Sequence, residues 1–535
     1  MDRITSRTQV GSVDYAARTA HRASEQNERK LAELLRLSAC DSKDLKKRSV
    51  RSGALTLTSQ GISLFVQTVS TVVLARLLTP EDYGVVAMVL AVTAFAGIFK
   101  NMGLSSATIQ TDQLTHEQVS TMFWLNLAVG ILLTAAVAAL APFLVWFYGQ
   151  QELFAVTLAL SVTFLISSLG IQHSALLTRG MRFKALAVSN ITSSVLATLT
   201  SILTALAGLG YWALVIGTIV GTFSQTAMPW TLCRWIPGAP RKGSGVRGYL
   251  RFGANLTAFD LVNYFSRNLD NVLIGRIWGA EALGFYTRAY SLLMFPIANL
   301  RGPLNSVAFP ALSQLQRDPV RYRAYFHRLA SVMAFASMPL AGFLFVSSDR
   351  LISLALGPQW SATSDIFGVL AITAFIQPVA GLRGVVLMSS GMGGRYFRWG
   401  LWNAIVTVIG FGVGVTWGPI GIAVSLGVIT YLILYPSLSY CFRDTPIKVL
   451  DFFGAIVRPA VSTVAAVMAA YLCKNQLEFN GDIAMLLSAL IAFLPVYFLT
   501  FALLPGSVRE LNEYLSYRAF FGWGDTQELE PVLGK

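Results

Sequence analysis

Long apolar stretches alternate with short polar segments from about residue 53 to residue 504. Each stretch is about 20 residues long, the length that an α-helix needs to cross the hydrocarbon core of a bilayer. The pattern predicts about fourteen transmembrane helices, centred near residues 64, 92, 129, 162, 197, 221, 263, 293, 335, 375, 408, 430, 463 and 493. We therefore expect an all-α polytopic membrane protein, because helices satisfy their own backbone hydrogen bonds in lipid.

The composition agrees with this fold class. Of the 535 residues, 54% are hydrophobic and only 13% are charged, whereas soluble domains carry about 25% charged residues. Residues 1–50 are polar. We expect no cleavable signal peptide in them, so the first apolar helix would act as the insertion signal.

An internal repeat relates the two halves of the apolar region. A shift of 200 residues places identical residues on one another: Gly53 on Gly253, Arg76 on Arg276, Glu81 on Glu281 and Gly84 on Gly284. Matched Arg and Glu residues make chance agreement between two apolar segments a poor explanation. Two similar halves that run in the same direction are typical of transporters with a central cavity. The sequence therefore predicts two pseudo-symmetric lobes of six helices each.

Segments outside the repeat complete the predicted domain organisation. The linker between the lobes is rich in Pro, Gly and basic residues, which favours a flexible hinge. The predicted domains are a polar cytoplasmic arm (1–50), an N-lobe with helices 1–6 (51–233), a cytoplasmic linker (234–249), a C-lobe with helices 7–12 (250–442), two extra transmembrane helices (443–505) and a cytoplasmic tail (506–535).

Positive charge is sorted between the two sides of the predicted membrane. The formal net charge is +14, and Lys and Arg cluster in alternate loops, for example around Arg182, Arg247 and Arg321. Short loops that are rich in Lys and Arg stay in the cytoplasm. Both termini are therefore expected to be cytoplasmic. This sorting accounts for the charge without nucleic acid, which we do not expect as a partner.

A polar stripe marks the seventh predicted helix. Asp260, Asn263, Arg267 and Asp270 follow one another at steps of three, four and three residues, which places them on one helical face. An isolated charge at the centre of a bilayer costs on the order of 2.5–3.5 kcal/mol. These side chains are therefore expected to face protein or a water-filled cavity. The alternative is structural: Arg267 neutralises one of the two carboxylates and joins two helices.

The first predicted helix carries a neutral version of the same stripe, since Gln60, Ser63 and Gln67 are the equivalents by the repeat. Arg288 and Arg383 add two further intramembrane cations to the C-lobe. Guanidinium groups bind oxyanions through several donors. We therefore expect these residues and the stripe of the seventh helix to line a substrate cavity, with an anionic substrate bound mainly by the C-lobe.

Catalytic and cofactor signatures are not apparent in the sequence. Neither the four Cys nor the four His residues are spaced like a metal site or a disulfide framework. The chain also contains no nucleotide-binding Gly-Lys-Ser/Thr loop and no Gly-x-Ser-x-Gly elbow. We expect no cofactor, no metal and no enzymatic activity.

Several motifs resemble one transporter family. They are Val73-Leu-Ala-Arg-Leu-Leu-Thr-Pro-Glu-Asp-Tyr-Gly84, Asp270-Asn-Val-Leu-Ile-Gly-Arg276 and Phe309-Pro-Ala-Leu-Ser-Gln-Leu-Gln-Arg-Asp318. The chain resembles Wzx-type flippases, in particular the colanic-acid exporter branch, of the multidrug/oligosaccharidyl-lipid/polysaccharide exporter superfamily. The resemblance implies a bacterial inner-membrane protein that translocates undecaprenyl-diphosphate-linked oligosaccharides. It also implies a cavity lined by cations such as Arg267, Arg288 and Arg383.

The resemblance also implies the partners: the lipid-linked oligosaccharide, membrane lipid, and the polymerase and export machinery for surface polysaccharide. Two alternatives remain at this point. The first is a cation-coupled multidrug extruder of the same superfamily, which would use Asp260 and Asp270 as a proton or sodium site. The second is a membrane scaffold or glycosyltransferase, which the short loops disfavour because they leave no room for a catalytic domain.

Overall fold

The computed structural model describes residues 42–100, 104–111, 114–240, 247–476 and 481–507. Within these ranges the side chains of residues 42–57, 110, 247–263, 265–267, 303 and 306 are not described. The predicted arm up to residue 41 and the tail from residue 508 lie outside the described residues. The first helix begins at Ser42, so it includes the last residues of the predicted arm.

Helices make up nearly all of the described chain, and no strand occurs in those ranges. They are α1 Ser42–Leu77, α2 Pro80–Lys100, α3 Leu104–Gln110, α4 His116–Ala139, α5 Ala141–Tyr148, α6 Glu152–Ser168, α7 Ile171–Arg179, α8 Phe183–Leu206, α9 Trp212–Cys233, α10 Arg247–Gln314, α11 Pro319–Val346, α12 Ser348–Leu356, α13 Ser361–Ala380, α14 Leu382–Ser389, α15 Gly393–Gly414, α16 Gly418–Leu432, α17 Leu434–Phe442, α18 Val449–Gln476 and α19 Asp482–Leu503.

Every predicted helix centre lies inside one of these helices. In the described residues, 10 segments are long and apolar enough to cross a membrane. Some of them join two helices: residues 393–432, for example, contain both α15 and α16. The prediction of an all-α polytopic membrane protein is confirmed.

The chain falls into two compact units, Met1–Gly284 and Phe285–Lys535. The boundary lies inside α10, shortly after a sharp turn at Gly279 with φ 84° and ψ −175°. A side chain at that positive φ would be strained, so glycine permits the turn. The two arms of α10, residues 247–278 and 280–314, correspond to predicted helices 7 and 8. The lobe boundaries at 234–249 remain a prediction.

The start of the predicted linker is packed into the first unit. Trp235 is fully buried, and its Nε1–H donates to Nδ1 of His116 at 3.1 Å. Its carbonyl oxygen lies 3.1 Å from Nε2 of His173, whose ring stacks on Trp230 with centroids 4.0 Å apart. The expectation of a flexible hinge does not fit Trp235, since burying its indole fixes this part of the linker. Residues 241–246 lie outside the described residues.

The two extra helices, α18 and α19, pack closely against α11 in the second unit. Gly342 of α11 makes this approach possible, because a Cβ there would lie 2.5 Å from Cγ2 of Thr463 and 3.1 Å from Cγ2 of Val467. The hydroxyl of Tyr497 in α19 donates to the carbonyl of Phe335 in α11 at 3.0 Å. These contacts make α18 and α19 an integral part of the second unit.

Ion pairs hold both ends of this three-helix assembly. Arg323 of α11 pairs with Asp451 of α18 at 2.5 Å. Beyond the other end of α11, Lys474 pairs with Asp349 at 2.6 Å and Arg350 with Asp482 at 3.0 Å. Partly exposed pairs of this kind each contribute little. Their position at both ends fixes the register of the helices. At Asp349, desolvation opposes the ionised form of the carboxyl group. The hydrogen bond and the charge of Lys474 outweigh this effect and keep the pKa of Asp349 below its usual value.

Replacing Gly342 tests the close packing of α18 on α11. We expect Gly342→Leu to lower the free energy of unfolding by about 1–3 kcal/mol, because the larger side chain forces the helices apart. The midpoint of thermal unfolding in detergent measures the effect. Gly412→Leu is the matched control, since a Cβ at Gly412 meets nothing within 4 Å. Equal midpoints for the two variants would contradict the packing described here.

Candidate functional site

The polar stripe predicted for the seventh helix lies on the first arm of α10. Asp260, Asn263 and Arg267 are helical there, and their side chains lie outside the described residues. The side chain of Asp270 is described and is only 5% exposed. Its Oδ1 accepts the backbone N–H of Asn271 at 2.8 Å. Asp270 is thus enclosed by protein, as expected of an intramembrane carboxylate.

The neutral stripe of the first predicted helix lies on α1. Gln60 and Gln67 are exposed, and Ser63 is half-buried. Spacing of three and four residues keeps the three on one side of the helix. The helix is confirmed, and the role of its polar residues in a substrate cavity stays a prediction.

The predicted C-lobe cations lie in the second unit. Arg288 is half-buried on the second arm of α10, where its carbonyl accepts the hydroxyl of Ser291 at 3.2 Å. Arg383 lies near the start of α14 and is also half-buried. The surroundings of Arg383 single it out as the candidate functional group.

The guanidinium group of Arg383 stacks on an indole ring. Its Cζ lies 4.6 Å from the centroid of the Trp399 ring, a favourable cation–π geometry. The Nε and Nη1 atoms are buried and have no hydrogen-bond partner in the described part of the chain. Donors that are removed from water and left unpaired are costly. The arrangement therefore favours a ligand that can accept hydrogen bonds from Arg383.

Neighbouring helices hold Trp399 in place. Its Nε1–H donates to Oγ of Ser437 in α17 at 2.7 Å, and its ring packs on Tyr396 with centroids 5.9 Å apart. Tyr396 in turn packs on Gly384, where a Cβ would lie 3.1 Å from the tyrosine ring. Because α14, α15 and α17 all contribute, the indole is a rigid support for the guanidinium group.

A second arginine lies beside the first. The guanidinium group of Arg301 packs on Gly381, since a Cβ there would lie 2.6 Å from Nη2 of Arg301. It is close enough for its charge to act on Arg383. Two like charges in a partly buried site repel each other. We call these two residues the arginine pair. The pair is suited to an anion that would relieve this repulsion.

Several other basic side chains of the second unit have carboxylate partners. Arg323, Arg350, Arg395 and Lys474 form ion pairs with Asp451, Asp482, Asp444 and Asp349, respectively. Arg383 forms no ion pair with any residue whose side chain the structure describes. The charge of Arg383 is therefore available for a ligand, whereas the charges of the four paired residues join helices or loops of the second unit.

Sequence reasoning identified Arg383 and missed its support. Neither Trp399 nor Arg301 was included among the cavity residues. The available signal was the sequence Gly381-Leu-Arg-Gly384: glycines on both sides of an intramembrane arginine permit close approach by other side chains. No group of three or more His, Cys, Asp or Glu residues that could hold a metal ion occurs in the described residues.

The fold defines the class of the protein as a polytopic, all-helical membrane protein. It resembles the solved structure "Lipid II flippase MurJ, inward closed conformation" with a TM-score of 0.67 at 13% identity, over 88% of this chain and 100% of that one. It also resembles an inward-facing multidrug resistance MATE family transporter with a TM-score of 0.55 at 14% identity, over 75% of this chain and 95% of that one. At such low identity these similarities concern the fold alone.

The chain belongs to the family described as "Polysaccharide biosynthesis protein", which matches residues 73–365. The teichuronic acid biosynthesis protein TuaB of Bacillus subtilis (strain 168) is 29% identical over 391 residues, or 71% of this chain and 79% of TuaB. The lipopolysaccharide biosynthesis protein WzxC of Escherichia coli (strain K12) is 26% identical over 75% of this chain and 82% of WzxC. The resemblance inferred from the motifs is confirmed.

Anion binding at the arginine pair can be measured on the purified protein. We expect Arg383→Gln to weaken the binding of inorganic pyrophosphate roughly ten-fold or more, because hydrogen bonds to charged groups contribute about 1.5–3 kcal/mol. Isothermal titration in detergent measures the affinity. Arg398→Gln is the control, since Arg398 is exposed on the neighbouring helix α15. Equal affinities of the two variants would show that Arg383 binds no phosphate.

Proposed function

We propose that the chain is an inner-membrane flippase that translocates undecaprenyl-diphosphate-linked oligosaccharide units for bacterial surface polysaccharide. Membership of the polysaccharide biosynthesis protein family supports this function. One relative is named as a transport protein, the succinoglycan biosynthesis transport protein ExoT of Rhizobium meliloti (strain 1021). It is 25% identical over 63% of this chain and 68% of ExoT. The fold likeness to a lipid II flippase agrees with it.

The arginine pair is the observation that carries the proposal. A diphosphate linkage presents several oxyanions, and guanidinium groups bind such oxyanions through paired hydrogen bonds. The donors of Arg383 that lack a described partner would bind the diphosphate. Arg288 and Arg267 would hold further anionic groups of the substrate, and the polar stripe on α1 would contact the glycan. The prenyl tail would stay in or near lipid, because transfer of its apolar surface into water is unfavourable.

Translocation would proceed by alternating access, in which the cavity opens to one side of the membrane at a time. The chain's own chemistry is limited to binding and release, and no bond is made or broken. The sorting of basic loops supports an inner-membrane protein with both termini in the cytoplasm. The polymerase that would receive the flipped unit is the expected partner on the outer side.

A cation-coupled multidrug extruder is the second candidate. One observation favours it: Asp270 is a buried carboxylate on an intramembrane helix, as a proton or sodium site would require. Asp260 lies on the same helical face. The fold likeness to a MATE transporter is compatible with this function. The arginine pair argues against it, because cationic drugs would be repelled there.

Deleting the gene in its native host distinguishes the two functions. We expect the surface polysaccharide to be lost and intact lipid-linked units to accumulate on the cytoplasmic leaflet, because synthesis of the unit precedes its translocation. Fractionated lipid-linked oligosaccharides and surface polymer are measured together. Complementation with the wild-type gene is the control. Unchanged polysaccharide with increased sensitivity to drugs would reject the flippase and support the extruder.

A further inference from the structure

Two glycines that the repeat relates lie at a helix crossing in the first unit. A Cβ added at Gly84 of α2 would overlap the carbonyl oxygen of Ala280 and lie 2.8 Å from its Cα. A Cβ added at Gly284 would overlap the carbonyl oxygen of Pro80 and lie 3.2 Å from its Cα. The shift of 200 residues relates Pro80 to Ala280 as it relates Gly84 to Gly284. The contact is therefore reciprocal, because the start of each helix contacts the glycine of the other helix.

Only glycine allows this approach, because the two backbones are in direct contact. Small residues at crossings of membrane helices let Cα–H groups approach carbonyl oxygens, which adds weak hydrogen bonds to close packing. Alanine at either position would force the helices apart. The sequence shows that the two glycines are equivalent, but only the structure shows that their helices are in backbone contact.

The contact continues inward along one face of α2. Met88 Cε would lie 3.3 Å from a Cβ at Gly275. Further along, the hydroxyl of Tyr264 donates to the carbonyl of Ala91, and its ring packs on Phe95 with centroids 5.6 Å apart. We call this line of contacts the glycine seam. From Pro80 to Phe95 the seam is about 22 Å long, at a rise of about 1.5 Å per residue. The hydrocarbon core of a bilayer is about 30 Å thick, so the seam is long enough to cross most of it.

We propose that the glycine seam is the outer gate of the transporter, closed in this structure and parted when substrate is released. The proposal rests on the proposed function and on the predicted orientation, which places residues 77–84 and 276–284 at the outer surface. The contacts that form the seam are backbone and apolar contacts and one tyrosine hydrogen bond. Contacts of these kinds can part without separating an ion pair.

Accessibility of a cysteine behind the seam tests this proposal. Ala91 is buried, so Ala91→Cys reports whether the seam is open. A Cys473→Ser background is used, because Cys473 is partly exposed near the predicted outer surface. A membrane-impermeant methanethiosulfonate reagent is added to whole cells. We expect Gly84→Ala and Gly284→Ala each to raise the labelling rate at least five-fold and to lower polysaccharide export at least ten-fold.

Two other glycines provide matched controls. Gly97 lies on α2 and Gly302 on the second arm of α10, and a Cβ at either meets nothing within 4 Å. Gly97→Ala and Gly302→Ala should label and export like the wild type. Labelling of the Gly84 and Gly284 variants at the rate of these controls would overturn the proposal.

A second experiment leaves Gly84 and Gly284 intact, in case their variants do not accumulate. In a Met88→Cys, Gly275→Cys double variant, a short bis-methanethiosulfonate reagent should join α2 to α10 through two disulfide bonds and stop export until reductant cleaves them. A double variant that does not cross-link, or that exports normally when cross-linked, would overturn the proposal. Labelling and cross-linking do not depend on the substrate, so failure of the gate and failure of the flippase function give different results.

Discussion

The hydrocarbon core of a bilayer offers no hydrogen-bond partner to a backbone amide or to a charged side chain. This constraint accounts for the helices that make up the chain and for the loops between them. It also accounts for the enclosure of Asp270. The partly exposed cations at the helix ends, Arg323, Arg350 and Lys474, have carboxylate partners. A buried charge without such a partner is unusual under this constraint. The position of Arg383 therefore indicates function.

Alternating access requires two properties of such a chain. The substrate anion must be stabilised while it is away from water, and the closure on each side must open at low cost. The arginine pair can stabilise the anion. The ring of Trp399 holds the guanidinium group of Arg383, and the Nε and Nη1 donors of Arg383 have no hydrogen-bond partner in the described part of the chain. The glycine seam supplies the second, since its backbone contacts at Gly84 and Gly284 involve no ion pair. Charge is thus concentrated where the ligand is expected, whereas the contacts of the closure at Gly84 and Gly284 are contacts with backbone atoms.

The sequence predicted the helices well and the tertiary contacts poorly, for a physical reason. Apolar length decides whether a segment can span a bilayer, and this property is local. The burial of Trp235 and the stacking of Arg383 on Trp399 depend on residues that other helices bring close. The sequence predicted a break between helices 7 and 8 but did not identify Gly279 as the turn, because a glycine inside an apolar run does not reveal its backbone angles. The repeat identified Gly84 and Gly284 as equivalent without indicating that each meets the start of the other's helix.

The central claim is that the chain moves a lipid-linked oligosaccharide diphosphate between leaflets. The most direct measurement reconstitutes the purified protein in vesicles with that lipid on one leaflet and follows its accessibility to a membrane-impermeant glycosidase. The accessible fraction should rise with time in vesicles that contain the wild-type protein, and more slowly with Arg383→Gln. A fraction that stays equal to that of protein-free vesicles would contradict the claim.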